Sequence, residues 1–332
     1  MTDRNLDAAG ILDPRLRAVH TVGAKLFEEQ AGGHYIARLL FPPPKRPYME
    51  TFWAFVLFVD NVVDDATTSV EARASRLDRW ERMYASVIEG TPPEGEGDDL
   101  ALARAFAHVL RTWGLPVDQV HRHIAAQRAT LTTTQYNTEA DLDDFVENVV
   151  LLPAEWVNTI FEANGPRAVE LCRQTITGFQ LLDRLWDIKD DLAAGKLSVP
   201  LDHLAKFDLD RASLTEQLAT NNLGDSVKEL FGYEIERART HLARGRDWLE
   251  VLHPTSRAFM SLDMDRFTYV AERMERDDFE YFRQPTEAEG FDRSWILPRT
   301  WTALSDAALA NNAAMKAGYQ VPPPAEATWE AT

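Results

Sequence analysis

Two aspartate pairs, each spaced i and i+4 inside a strongly apolar helical stretch, constrain this chain more than any other feature. The first lies in WAFVLFVDNVVDD and gives Asp60 and Asp64, with Asp65 alongside. The second lies in QLLDRLWDIKDD and gives Asp187 and Asp191, with Asp183 and Asp190 close by. Residues four apart on an α-helix share a face, so each pair aims two carboxylates in one direction. Trp53 to Val59 are uninterrupted apolar residues, which predicts a helix buried on nearly every side. Two carboxylates in such a wall repel unless a cation lies between them. Hard divalent cations such as Mg2+ take oxygen ligands and share them with substrate phosphates. The two pairs therefore point to a metal-held diphosphate. Aspartate and glutamate supply 53 of 332 residues, so the spacing alone also arises on solvated faces, as Asp143 and Glu147 illustrate. The apolar flanks set the other two pairs apart.

Helical periodicity dominates the rest. It predicts helices near 11–31, 46–66, 69–89, 98–113, 117–134, 139–164, 166–194, 224–252, 256–283 and 297–316. Pro166 suits a first helical turn and Gly195 a C-terminal stop. FPPPKRP at 41–47 reads as a rigid exposed connector, with Lys45 and Arg46 as surface charges. Strand alternation and internal repeats are absent, and no linker divides the chain. The expectation is one all-α domain over residues 11–317, with a flexible N-terminus at 1–10 and a disordered tail at 318–332.

Charge narrows the partners. With 35 basic and 53 acidic residues the formal charge is −18, which argues against nucleic acid and against an anionic membrane surface. The longest apolar run is broken by Asp60, short of a membrane-spanning length, so no integral membrane segment is expected. MTDRNLDAAG lacks the apolar core of a signal peptide, and a cytoplasmic location is the default. Cys172 is the single cysteine and reads as a buried small hydrophobe.

At these residues the chain resembles the squalene/phytoene synthase family, over about residues 30–285. That family carries an aspartate pair after a Y-A-F-C-R-like stretch, where this chain has WAFVLFVDNVVDD. It also carries a block like Q-L-T-N-I-L-R-D-V-x-E-D, then G-R-x-Y-L-P; here these read QLLDRLWDIKDD and GKLSVP. QYNTEADLDDF at 135–145 resembles a family stretch ahead of a cavity-lining helix. The resemblance implies a single-domain isoprenoid-synthase helical bundle with a central cavity. It also implies Mg2+ held by Asp60, Asp64, Asp187 and Asp191, with Asp183 joining or orienting that set, and a prenyl diphosphate substrate. Gln180 matches a position lining the site, and Tyr269 a tyrosine that approaches the diphosphate.

Departures from the family pattern shape the expected activity. Leu57 and Trp186 stand where the family has arginine, Asp183 where it has asparagine, and Ser198 where it has tyrosine. AGGH at 31–34 replaces a serine-bearing stretch, leaving His34 as a candidate base or acceptor contact. Since guanidinium suits phosphate oxygens, losing two arginines implies that one diphosphate is ionised and a second is handled poorly. The expectation is therefore a prenyltransferase acting on a small aromatic acceptor, similar to bacterial squalene-synthase-like enzymes of secondary metabolism that prenylate carbazoles. The alternatives are head-to-head condensation of two prenyl diphosphates and a catalytically silent helical scaffold. Arg184 and Lys189 are expected to turn to solvent, and Trp53 and Trp186 are candidates to face the cavity.

Overall fold

The computed structural model describes residues 3–91, 93, 95, 97–284 and 293–322, with the side chains of residues 32–34 and 293 outside the description. Among the described residues the secondary structure is helical, apart from one isolated parallel bridge between Gln135 and Leu197. The elements are α1 (Asp3–Ala8), α2 (Pro14–Gln30), a 3-10 segment (Gly32–Leu40), α3 (Arg46–Asp64), α4 (Val70–Ile88), α5 (Asp98–Thr112) and α6 (Gln119–Thr130). Next come α7 (Glu139–Phe145), a π-turn (Val146–Leu151), α8 (Leu152–Ile160), α9 (Ala168–Trp186), α10 (Ile188–Ala193), α11 (Leu201–Lys206) and α12 (Arg211–Ala219). The chain closes with α13 (Asp225–Gly245), α14 (Trp248–Val251), α15 (Pro254–Phe279) and α16 (Arg293–Lys316). No helix among the described residues is long and apolar enough to cross a membrane.

The helices that carry the aspartates are largely enclosed. Seven of the residues from Phe52 to Val63 on α3 are buried, so this helix runs through the core as its apolar sequence requires. Phe55 stacks on Phe106 of α5 with centroids 3.9 Å apart, which makes it a packing residue. On the other side α9 packs closely along α13. A Cβ at Gly178 would lie 2.8 Å from the Leu242 side chain and 3.0 Å from the Ala238 carbonyl, so the close approach requires glycine. Cys172 is fully buried, as its setting predicts. Gly195 follows α10 with φ at +78°, the left-handed stop its position predicts.

Three boundary expectations need correction. Residues 3–10 are not loose: Asp3–Ala8 is helical, and Leu6 and Ala9 join the core. Arg17 holds this helix through Asp3 at 2.9 Å and Asp7 at 2.7 Å. Lys45 is fully buried, because its ammonium meets Glu162 at 2.7 Å and donates to Ser256 at 2.9 Å. Arg46 is half-buried and caps the Phe41 carbonyl at 2.9 Å. Residues 319 and 321, expected in the tail, are also tied to the fold. The Tyr319 hydroxyl donates to Glu162 at 2.7 Å, its ring stacks on His253, and Val321 packs on the core. Residues 323–332 lie outside the described residues.

Candidate active site

Helices α3, α6, α8, α9 and α15 wall a cavity of about 560 Å3. Asp60, Asp64, Asp183, Asp187, Asp191 and Gln180 all line it, so the sequence-predicted aspartates converge on one space. The chain bends at Asp187, where α9 ends and α10 begins. The Asp191 N–H still bonds to the Asp187 carbonyl at 2.8 Å, which keeps the helical spacing of the pair. The walls away from the aspartates are apolar, with Phe52, Trp53, Val56, Val149, Phe259 and Phe267 among them.

Electrostatics tie the two pairs together. Asp60 is pushed up to about 7, first by burial and then by the Asp64 and Asp183 carboxylates, against a hydrogen bond from Gln127. Asp187 is likewise pushed up to about 7 by burial and by Asp183, Asp191, Asp190 and Asp64. Burial also raises Asp183 and Asp191. Each pair thus feels the other across the cavity, and added positive charge would relieve both.

Neighbouring polar groups orient these carboxylates. The Gln127 amide donates to Asp60 at 3.1 Å, the Ser198 hydroxyl donates to Asp191 at 2.7 Å, and the Lys196 ammonium lies 3.5 Å from Asp64. Among the described residues no three acidic or histidine side chains form a ready-made metal cage. Mg2+ commonly takes one or two carboxylates and completes its shell with water and substrate phosphates. All-oxygen donors on facing walls fit such a shared hard cation.

Several expectations fail here. Leu57 is a half-buried packing residue, and Trp186 sets its ring edge-on to Tyr281 at 6.3 Å; neither lines the cavity. Tyr269 stacks on Trp295 of α16 at 4.2 Å and is also absent from the lining. Arg184 is buried rather than solvated and lines the cavity, donating to the Gln180 and Ser198 carbonyls at 3.4 and 3.5 Å. Lys189 donates to Asn221 and to the Gln284 carbonyl, away from the aspartates. Trp53 does face the cavity. The side chain of His34 lies outside the described residues.

Sequence reasoning missed Gln127, His123, Tyr136, Lys196 and Arg266, all of which line the cavity. Gln127 and His123 sit four apart on α6, a spacing that signals one shared face. Nothing in the sequence says that this face meets α3.

A family model for squalene/phytoene synthase matches residues 29–291. The 15-cis-phytoene synthase of Synechocystis sp. is 27% identical over 286 residues, covering 80% of each chain. The presqualene diphosphate synthase of Rhodopseudomonas palustris is 26% identical over 210 residues, covering 63% of this chain and 71% of that one. The crystal structure of a squalene synthase from Alicyclobacillus acidocaldarius superposes with a TM-score of 0.72 at 22% identity, over 82% of this chain and 98% of that chain. A dehydrosqualene synthase in complex with a ligand gives 0.69 at 14% identity, over 90% and 98%. These two structural likenesses speak to the isoprenoid-synthase fold.

Proposed function

This chain belongs to the squalene/phytoene synthase family, and on that footing we propose that it joins two prenyl diphosphates head to head in a Mg2+-dependent reaction. The observation that carries this reading is the charge pattern of one cavity. Six aspartates, the five named above and Asp263, meet at an apolar-walled space that also holds the cations Arg184, Lys196 and Arg266. The expected transfer to an aromatic acceptor rested on two missing arginines, at Leu57 and Trp186. Neither position lines the cavity, so that argument loses its footing, and three other cations do line it.

In this reading Asp60, Asp64, Asp183, Asp187 and Asp191 would hold Mg2+, which when bound supplies positive charge to the departing pyrophosphate. Gln127 and Ser198 fix the Asp60 and Asp191 carboxylates for that task, as outer hydrogen bonds do for ligating carboxylates. Arg184 gains from an anion beside it, since burial otherwise disfavours its charge. The apolar walls keep water from the allylic cation, and the faces of Trp53 and Phe259 favour positive charge next to them.

Incubation with Mg2+ and farnesyl or geranylgeranyl diphosphate, with and without a panel of carbazoles and indoles, tests the proposal. The expected product carries two prenyl chains and forms without any acceptor. A product that carries one prenyl chain on an aromatic ring, and forms only with acceptor, would overturn it.

A further inference from the structure

The π-turn between α7 and α8 is where the cavity wall departs from regular helix. In it the Leu152 N–H bonds to the Glu147 carbonyl, five residues back. The same register would offer the Asn148 carbonyl to the N–H of residue 153, and residue 153 is proline, which has none. His123 of α6 supplies the missing donor, with Nδ1 3.0 Å from the Asn148 carbonyl oxygen. A carbonyl only accepts, so the imidazole carries its proton on Nδ1 and leaves a bare lone pair on Nε2.

That lone pair has no partner. Nε2 is buried and makes no hydrogen bond, while the ring forms part of the cavity wall. Phe55 and Trp156 stand around it, with ring centroids 5.8 and 5.9 Å away. A buried acceptor left unsatisfied is costly, and packing alone needs no such atom. Burial lowers the imidazole to about 4, so the ring is neutral near pH 7. Gln127, which holds Asp60, is one turn along the same helix. His123 therefore lies about 6 Å along the helix axis from the residue that holds Asp60.

We propose that His123 is the proton acceptor of the condensation. The inference rests on the proposed function. Ionisation breaks the C–O bond of one prenyl diphosphate, and the electron pair leaves with pyrophosphate. The alkene of the second chain attacks the allylic carbon, forming a C–C bond and a new carbocation. A C–H bond beside that carbocation then breaks, and its electron pair quenches the charge within the carbon skeleton. The proton passes to Nε2, and the imidazolium returns it to water after product leaves. A C–H bond next to a carbocation is a strong acid, so a weakly basic imidazole suffices. Its low proton affinity keeps the lone pair available at neutral pH.

His123→Asn tests this, because its side-chain amide can still donate to the Asn148 carbonyl while removing the imidazole lone pair. His123→Phe serves as a second variant that keeps the aromatic packing. The readout is the ratio of pyrophosphate released to coupled, deprotonated product, with Mg2+ and farnesyl or geranylgeranyl diphosphate. The expected result in the folded variants is a ratio at least about tenfold above wild type, with water-quenched alcohols that carry both coupled chains making up the difference. A wild-type ratio in both variants, even at a lower total rate, would overturn the inference. A wild-type protein that releases no pyrophosphate would instead remove the proposed function, and this inference with it.

Discussion

Asp60 and Asp187 carry a pH-sensitive cost. Each carboxyl is raised to about 7 in the folded chain, against about 3.9 for a free aspartate. Between those values the folded state keeps protons that the unfolded chain has released, so this contribution to stability falls as pH rises. The penalty is absent below about pH 4 and complete above about pH 7. Metal-free Asp60→Asn is therefore expected to melt above wild type at pH 7.5, with the gap closing towards pH 4.5. Differential scanning calorimetry at the two pH values checks this, and equal gaps would contradict it. Gln127→Leu removes the donor on Asp60 and is expected to raise the Mg2+ concentration for half-maximal pyrophosphate release roughly tenfold. The aspartates were legible in the sequence because helical spacing alone fixes which carboxylates share a face. Gln127, Ser198 and Arg184 were not, because their roles depend on which helix faces which. Ser198 reads as a lost tyrosine, yet it holds Asp191 at 2.7 Å.

At the scale of elements, the long helices were readable from periodicity and breakers, including α3, α4, α5 and α9. The short α1, α11 and α12 escaped because six to nine residues carry too little period to stand out. The π-turn was also hidden, since its cause is the pairing of Pro153 with a donor from another helix. The contact between α9 and α13 makes its own prediction. Gly178→Val would drive a side chain into Leu242 and the Ala238 carbonyl, both within 3.0 Å of the added Cβ. Overpacking of this kind costs about 1–3 kcal/mol. The urea midpoint should fall accordingly, and an unchanged midpoint would show that the two helices part freely.

Across the whole molecule, one buried cluster ties distant segments together. Lys45 follows the proline-rich connector, Glu162 ends α8, and Tyr319 follows α16, and all three meet within 2.7 Å contacts. Lys45→Ala would leave Glu162 without its cation, at a cost of about 3 kcal/mol, read as a lower midpoint in urea. The connector's prolines suggested exposure, and only the tertiary fold shows the lysine turned inward. The net charge of −18 sets the larger frame, because an anionic substrate reaching this chain needs its cations concentrated locally. The cavity brings three basic side chains to that space, and in the proposed function its carboxylates would add bound metal. The most direct measurement is Mg2+-dependent pyrophosphate release from farnesyl or geranylgeranyl diphosphate by wild type, Asp60→Asn and Asp187→Asn. If both aspartate pairs act on one diphosphate, each variant loses roughly 100-fold or more in rate. Wild-type rates in either variant would mean that its pair takes no part.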